Sequence, residues 1–386
     1  MVEPAGHDNG AGDADDSATR TVIVRPGGIR AAAAVDDRVH YLVVVEGEEP
    51  GRRVEITDKP TVIGRSRPAD FVIADALVSR SHCRVGLVMG EVFVTDQGSS
   101  NGTLMEGARI SGSRFLGPGD RFIVGSHVFE HEWRSKKEVE AARSQDSDLE
   151  KAKQYVRSLL PAPLGQGALR TDWVLQPSAK LGGDMFGYHF IDERTFAIYL
   201  LDVTGHGANA AMHAVSVMNV LRQRALPGVD VRDPARIASH LNEMFQMDRH
   251  GGMLLSLWYG VVDLDTRAIA FTSAGHHPAY LVDSGRRAAI PLDVSNVLIG
   301  MMPDYPYRAD REQLAPGSSL YLFSDGVFEV EGEDGREGSL DDFLPLLTAP
   351  AIPGKPESQR ILEAVKSRTG RPSFEDDFTL VVAAIG

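Results

Sequence analysis

The chain has 386 residues, enough for two or three domains, and its 42% hydrophobic and 24% charged content excludes wholesale disorder. Asp plus Glu number 54 against 40 Lys plus Arg, a net charge of −14 that argues against a nucleic-acid partner, since neutralising phosphates needs clustered cations. The single cysteine, Cys83, excludes an internal disulfide framework and argues against a cysteine-based zinc site.

Residues 1–38 are rich in Gly, Ala and Asp and hold no sustained period, so a disordered arm is expected, with a short extended patch at Thr21–Val24. No basic run followed by an apolar run opens the sequence, and the most apolar stretch, Met253–Val262, is about half a membrane span. A cytoplasmic protein with no membrane partner is the expectation. Between Tyr41 and Trp133 short β-rich runs alternate with turn clusters roughly every ten residues, the texture of an all-β sandwich. Cys83 sits in an apolar alternation there and reads as a buried core thiol.

Three loops of this stretch carry polar groups suited to phosphate. Gly64-Arg65 follows one strand, Ser79-Arg80-Ser81-His82 precedes another, and Gly98-Ser99-Ser100-Asn101-Gly102-Thr103 joins two more. Arginine offers a forked contact to phosphate, serine a hydroxyl donor, and asparagine a double contact to peptide backbone. Turn chemistry alone also uses Ser, Asn and Gly, and composition leaves both readings open. In order and spacing these loops resemble a forkhead-associated (FHA) domain over about residues 39–134. The resemblance implies a sandwich that binds a phosphothreonine-containing protein, with Arg65 and Ser79 on the phosphate, Arg80 and Ser100 flanking it, and Asn101 on the peptide backbone. Thr19 and Thr21 in the arm, each with valine three residues on, would be internal ligands if phosphorylated.

Residues 135–163 are polar and free of Gly and Pro until Pro161. Leu149, Ala152, Val156 and Leu159 recur at helical spacing, which predicts a linker helix. Two readings stay open: packing on its own domain, or a short coiled coil that makes a homodimer.

From Thr171 onward strands and helices mix, and the strands run in adjacent antiparallel-looking pairs, so an α+β domain is predicted over residues 164–386. Its carboxylates keep unusual company. Asp184 follows Gly182-Gly183, Asp202 closes the apolar run Phe196–Leu201, Asp325 closes Leu320–Phe323, and Asp376-Asp377 open the last apolar run. Any one of them reads as a turn or cap residue. Together they read as acids crowded at one sheet edge, which repel unless a cation neutralises them, and oxygen-only ligands favour Mg²⁺ or Mn²⁺. His206, between two glycines, reads either as a general acid or as a loop-shaping residue. His276 and His277 read as shaping a strand-end turn beside the site.

Leu-Leu-Pro at 159–161, Gly-Gly-Asp at 182–184, Asp-Val-Thr-Gly-His-Gly at 202–207, Ala-Gly-His at 274–276, Ser-Asp-Gly at 324–326 and Asp-Asp-Phe-Thr at 376–379 resemble the SpoIIE-type branch of the metal-dependent (PPM, protein phosphatase 2C) serine/threonine phosphatases. The resemblance implies an αββα sandwich and two ions of Mn²⁺ or Mg²⁺. The implied ligands are Asp184, Asp202, Asp325, Asp376 and the carbonyl of Val203, with Asp377 a further contributor. The implied substrate is a phosphorylated protein, an anti-sigma-factor antagonist of STAS type, and the helix ahead of the domain is implied to be regulatory. Ser273 stands where that branch often has asparagine. The expected chain is therefore multidomain: an all-β FHA sandwich, a linker helix and an αββα phosphatase domain. The alternative is a catalytically weak adaptor that only binds phosphopeptides.

Overall fold

The structure is a computed structural model that describes residues 37–165, 167–333, 335–370 and 373–386. The arm expected at residues 1–38 lies outside the described residues except for its last two, and so do Thr19, Thr21 and the patch Thr21–Val24. The chain divides into two compact units, Met1–Ser144 and Gln145–Gly386.

The described part of the N-terminal unit is built from β1 (Arg38–Glu46), β2 (Arg53–Ile56), β3 (Thr61–Gly64), β4 (Phe71–Val72), β5 (Cys83–Val88), β6 (Glu91–Asp96), β7 (Leu104–Met105), β8 (Ala108–Arg109), β9 (Ser113–Leu116), β10 (Arg121–Val124) and β11 (His127–Ser135). One sheet has the order β2-β1-β11-β10-β7-β8 and the other β4-β3-β5-β6-β9. Inward residues alternate along each strand, so Leu42 and Val44 of β1 meet Ile63, Val85 and Val94 of the facing sheet in one core. Cys83 is fully buried in that core, and burial pushes its thiol far up, which leaves it inert.

The helix α1 (Lys136–Leu159) crosses the boundary between the units at Ser144. Residues 140–148 are exposed on every side, while Leu159 is buried in the C-terminal unit and Val156 packs partly against the same core. The rest of that unit runs β12 (Leu169–Gln176), β13 (Met185–Phe190), β14 (Thr195–Val203), α2 (Ala208–Arg222), α3 (Pro234–Met244), β15 (Leu255–Asp263), β16 (Ala268–Ala274), β17 (Ala279–Val282), β18 (Ala289–Leu292), β19 (Ser295–Asn296), β20 (Asp310–Gln313), β21 (Ser319–Phe323), α4 (Leu340–Thr348), α5 (Glu357–Thr369) and β22 (Phe378–Ile385).

Two sheets, β13-β14-β15-β16-β19 and β12-β22-β21-β17-β18, stack face to face. Between them lies a core of Phe186, Phe196, Trp258, Leu322 and Val381. The helices α2 and α3 cover the first sheet and α4 and α5 the second, each over its own apolar layer. This is the αββα sandwich that the resemblance implied. β15 is buried on both faces through eight of its nine residues, which is why it reads as an unbroken apolar run. α3 stops at Met244. Phe245 leaves helical geometry, and the Met247 N–H donates to the Gly300 carbonyl at 3.1 Å, so a tertiary contact ends the helix. Among the described residues no helix is long and apolar enough to cross a membrane.

Candidate active site

Antiparallel pairing explains how distant acids meet. β13 begins where β14 ends, with Met185 opposite Leu201, so Asp184 and Asp202 lie at the same edge. β22 begins where β21 ends, with Phe323 opposite Leu380, so Asp376 and Asp377 lie beside Asp325. The five carboxylates therefore come from strand ends that share one rim of the stacked sheets.

Their electrostatics record the crowding. Asp184 is 4% exposed, and burial, followed by the charges of Asp202 and Asp377, pushes its carboxyl well above the usual range. Its Oδ2 is buried with no hydrogen-bond partner among the described residues. Asp202 is pushed up to about 7, by burial first and then by Asp325, Asp376 and Asp377. Asp376 is raised by desolvation and by Asp325 and Asp377, although the Asp377 N–H donates to its Oδ1 at 2.7 Å and His206 opposes the rise. Val203, whose carbonyl is the implied backbone ligand, ends β14, and that oxygen lies 2.7 Å from where a Cβ on Gly183 would sit. His206 is exposed, on the turn before α2.

A cleft of about 340 Å³ opens over this rim, lined by Asp202, Thr204, Ser256, Ser324, Asp325 and Glu329 together with His276 and His277. The turn after β16 is shaped by backbone contacts. The Ser273 hydroxyl bonds to the His276 carbonyl, and His276 Nδ1 lies 2.7 Å from the His277 carbonyl. Burial lowers the pKa of both histidines, so they stay neutral.

The orphaned oxygen of Asp184, the raised carboxyls and an all-oxygen donor set fit a hard divalent cation. Among the described residues, no three acidic, histidine or cysteine side chains are already drawn into a closed ligand cage. Sequence reasoning underrated Asp377 and missed Glu329 and Ser178. Asp377 is 6% exposed. Its Oδ1 accepts the Ser178 N–H at 2.8 Å and the Ser178 hydroxyl at 3.0 Å. Its Oδ2 rests against Gly182, where a Cβ would lie 1.9 Å away. Glu329 is raised by burial and by Asp325, Glu337 and Asp376. Only the Asp-Asp doublet gave a sequence signal for any of these.

In the N-terminal unit the phosphate-suited loops also meet. The Ser79 Oγ accepts the Ser100 N–H at 3.1 Å, the Arg65 N–H donates to the Ser79 carbonyl at 2.9 Å, and Asn101 Nδ2 donates to the Leu77 carbonyl at 2.8 Å. Arg65 and Arg80 are exposed. Asp96 fastens the third loop from beneath. Its Oδ2 accepts the Gly98 and Ser99 N–H groups, and its Oδ1 accepts the Thr103 N–H and hydroxyl. His82 is fully buried and its Nδ1 accepts the Ser79 N–H at 3.1 Å, so it sets the loop and does not face a ligand.

The family model for stage II sporulation protein E (SpoIIE) matches residues 192–386, and that of the FHA domain matches residues 61–125. The phosphoserine phosphatase RsbP of Bacillus subtilis is 27% identical over 183 residues, 47% of this chain and 45% of that protein. The phosphoserine phosphatase RsbU of the same organism is 27% identical over 191 residues, 49% of this chain and 56% of that protein. The chain thus spans about half the length of these curated relatives. The SiaA-PP2C domain of Pseudomonas aeruginosa shares the fold, with a TM-score of 0.56 at 23% identity over 64% of this chain and 99% of that one.

Proposed function

From the premise that the chain belongs to the SpoIIE family and carries an FHA domain ahead of the family's phosphatase fold, we propose that it is a metal-dependent protein serine/threonine phosphatase. The observation that carries this reading is the meeting of five carboxylates at one rim with a buried, unpartnered oxygen of Asp184 among them. The names of RsbP and RsbU, both phosphoserine phosphatases, support the reaction class.

Asp184, Asp202, Asp325, Asp376 and the Val203 carbonyl would hold two ions of Mn²⁺ or Mg²⁺. Bound there, such a pair supplies positive charge against the phosphate and a water acidic enough to be a nucleophile. The chain's own groups do the remaining work. Asp377, clamped by two hydrogen bonds from Ser178, is fixed against Gly182 beside Asp184. Ser256 offers the cleft a hydroxyl for a phosphate oxygen, while Thr204 fixes the cleft wall, its hydroxyl donating to the Leu254 carbonyl at 3.2 Å and accepting the Leu254 N–H at 3.0 Å. His206, exposed at the rim near Asp376, takes the position of a general acid towards the departing seryl or threonyl oxygen. Phe323 and Phe328 pack against the His277 ring, at 4.7 and 5.3 Å between ring centres, and hold it beside the cleft.

The substrate is a phosphorylated regulatory protein, with an anti-sigma-factor antagonist of STAS type the leading class. The FHA domain recruits or gates by binding a phosphothreonine segment through Arg65, Ser79, Arg80, Ser100 and Asn101. The test is phosphate release from a phosphoserine protein substrate with and without Mn²⁺, using wild type and Asp202→Asn. Mn²⁺-dependent release that the substitution abolishes is expected. Equal release from both proteins, or no release from either with Mn²⁺ present, overturns the reading and favours the adaptor.

A further inference from the structure

We infer that the loop end of the N-terminal unit takes a phosphothreonine segment whose flank carries a carboxylate, and that Arg109 reads that carboxylate. The inference rests on the phosphothreonine-binding reading of the FHA domain.

It starts from charge. Three exposed arginines of the N-terminal unit, Arg52, Arg121 and Arg143, pair with Glu49, Glu130 and Glu55 at 2.6, 2.6 and 2.7 Å, whereas Arg53, Arg67, Arg114 and Arg134 form no ion pair among the described residues, so it is position and not the lack of a partner that singles out the next three. Arg65, Arg80 and Arg109 are all exposed, and among the described residues none of the three forms an ion pair. Arg65 and Arg109 are linked through one set of bonds that passes Ser79, the chain neighbour of Arg80. The Arg65 N–H donates to the Ser79 carbonyl, the Ser79 hydroxyl accepts from the Ser100 N–H, and Arg109 Nη2 donates to the Ser100 carbonyl at 3.0 Å. A phosphothreonine brings about two negative charges at most, which Arg65 and Arg80 balance. Arg109, a third cation at the same loop end, is then available to a carboxylate on the ligand.

Geometry agrees. The Arg109 side chain lies across Gly102, whose φ is +77° and where a Cβ would come within 2.6 Å of the Arg109 Nε. The glycine thus lets the arginine pack flat along the turn. A guanidinium has five N–H donors, and the bond to the Ser100 carbonyl is the one hydrogen bond found for it among the described residues. Its outer edge remains able to grip a carboxylate with two parallel bonds. Asn101, the next residue after Ser100, spends its amide N–H on Leu77, which leaves Oδ1 to accept from a peptide backbone passing Arg109.

One source of such a ligand is another phosphoprotein. A second is the chain's own arm, where Asp13, Asp15 and Asp16 precede Thr19.

The test measures affinities of labelled phosphothreonine peptides for the full chain by fluorescence anisotropy. The peptides carry Asp, Ala or Lys stepped one at a time through the flanking positions, and one further peptide spans residues 11–24 phosphorylated on Thr19. Wild type should bind the best Asp-flanked peptide about tenfold more tightly than its Ala counterpart. Arg109→Glu should invert the preference, favouring Lys over Asp at that position, and Arg109→Gln should bring the Asp-to-Ala ratio near one. Because each result is a ratio within one protein, a general loosening of the loop does not mimic it. An Asp-to-Ala ratio that neither variant changes, or no acidic preference in wild type, overturns the inference while leaving phosphothreonine binding intact. Loss of all phosphopeptide binding in wild type overturns the FHA reading instead. Binding of the phospho-Thr19 peptide with the same Arg109 dependence supports the inference and points to the arm as a source.

Discussion

Ser178 and Asp377 are 199 positions apart, yet two hydrogen bonds tie them. Ser178→Ala removes the hydroxyl donor from a buried carboxylate, which should cost about 1–3 kcal/mol in thermal unfolding. Through Asp377 it should also weaken Mn²⁺ binding about 10–100-fold by calorimetry, the usual effect of losing a group that orients metal ligands. Unchanged Mn²⁺ affinity would limit the pair to a structural role. The acids Asp184, Asp202, Asp325 and Asp376 were legible as residues because each breaks an apolar run beside glycine or a second acid. Ser178 and Glu329 were not, because their roles come from contacts that no local pattern encodes. A second residue with a direct test is Asp75, held down to about 2 by the N–H groups of Ser126 and Leu77. A carboxyl depressed in the folded state stabilises above its ordinary value of 3.8, and that stabilisation disappears as pH falls towards about 2. The gap in unfolding midpoint between wild type and Asp75→Asn should therefore close across that window; a gap constant with pH would contradict the assignment.

Strands and helices were legible wherever burial imposes a period. The eight-residue buried run of β15 and the alternation of β1 are examples. β20, Asp-Arg-Glu-Gln, has all four residues exposed and pairs with β16 only through its backbone, so no side-chain pattern announces it. β19 is two residues long and equally silent. In α1 the seam Leu149, Ala152, Val156 and Leu159 was legible, and Val156 and Leu159 pack on the C-terminal core. Between Val139 and Leu149 every residue is exposed, so the middle of this helix buries no apolar side chain and is tied by the ion pairs Arg143–Glu55 and Asp146–Lys180. Val156→Asp places a charge on a half-buried apolar contact. It should lower the melting temperature of the C-terminal unit and change basal hydrolysis; unchanged values for both would detach this helix from the site.

At the scale of the whole molecule the two units have separate cores, and their candidate ligands differ in kind. Calorimetric unfolding should show that Mn²⁺ stabilises the unit beginning at Gln145, by about 2.7 kcal/mol at a hundred times its dissociation constant. A phosphothreonine peptide should stabilise the other unit. Either ligand shifting both transitions equally would show that the units unfold as one. The account's central claim is that strand ends far apart in the chain build one cation-binding rim. Its most direct test is the number of Mn²⁺ ions taken up per chain by isothermal titration, wild type against Asp202→Asn. About two ions per wild-type chain, with fewer or much weaker sites in the variant, is the predicted result. No uptake by the wild type, or identical uptake by both proteins, would contradict it.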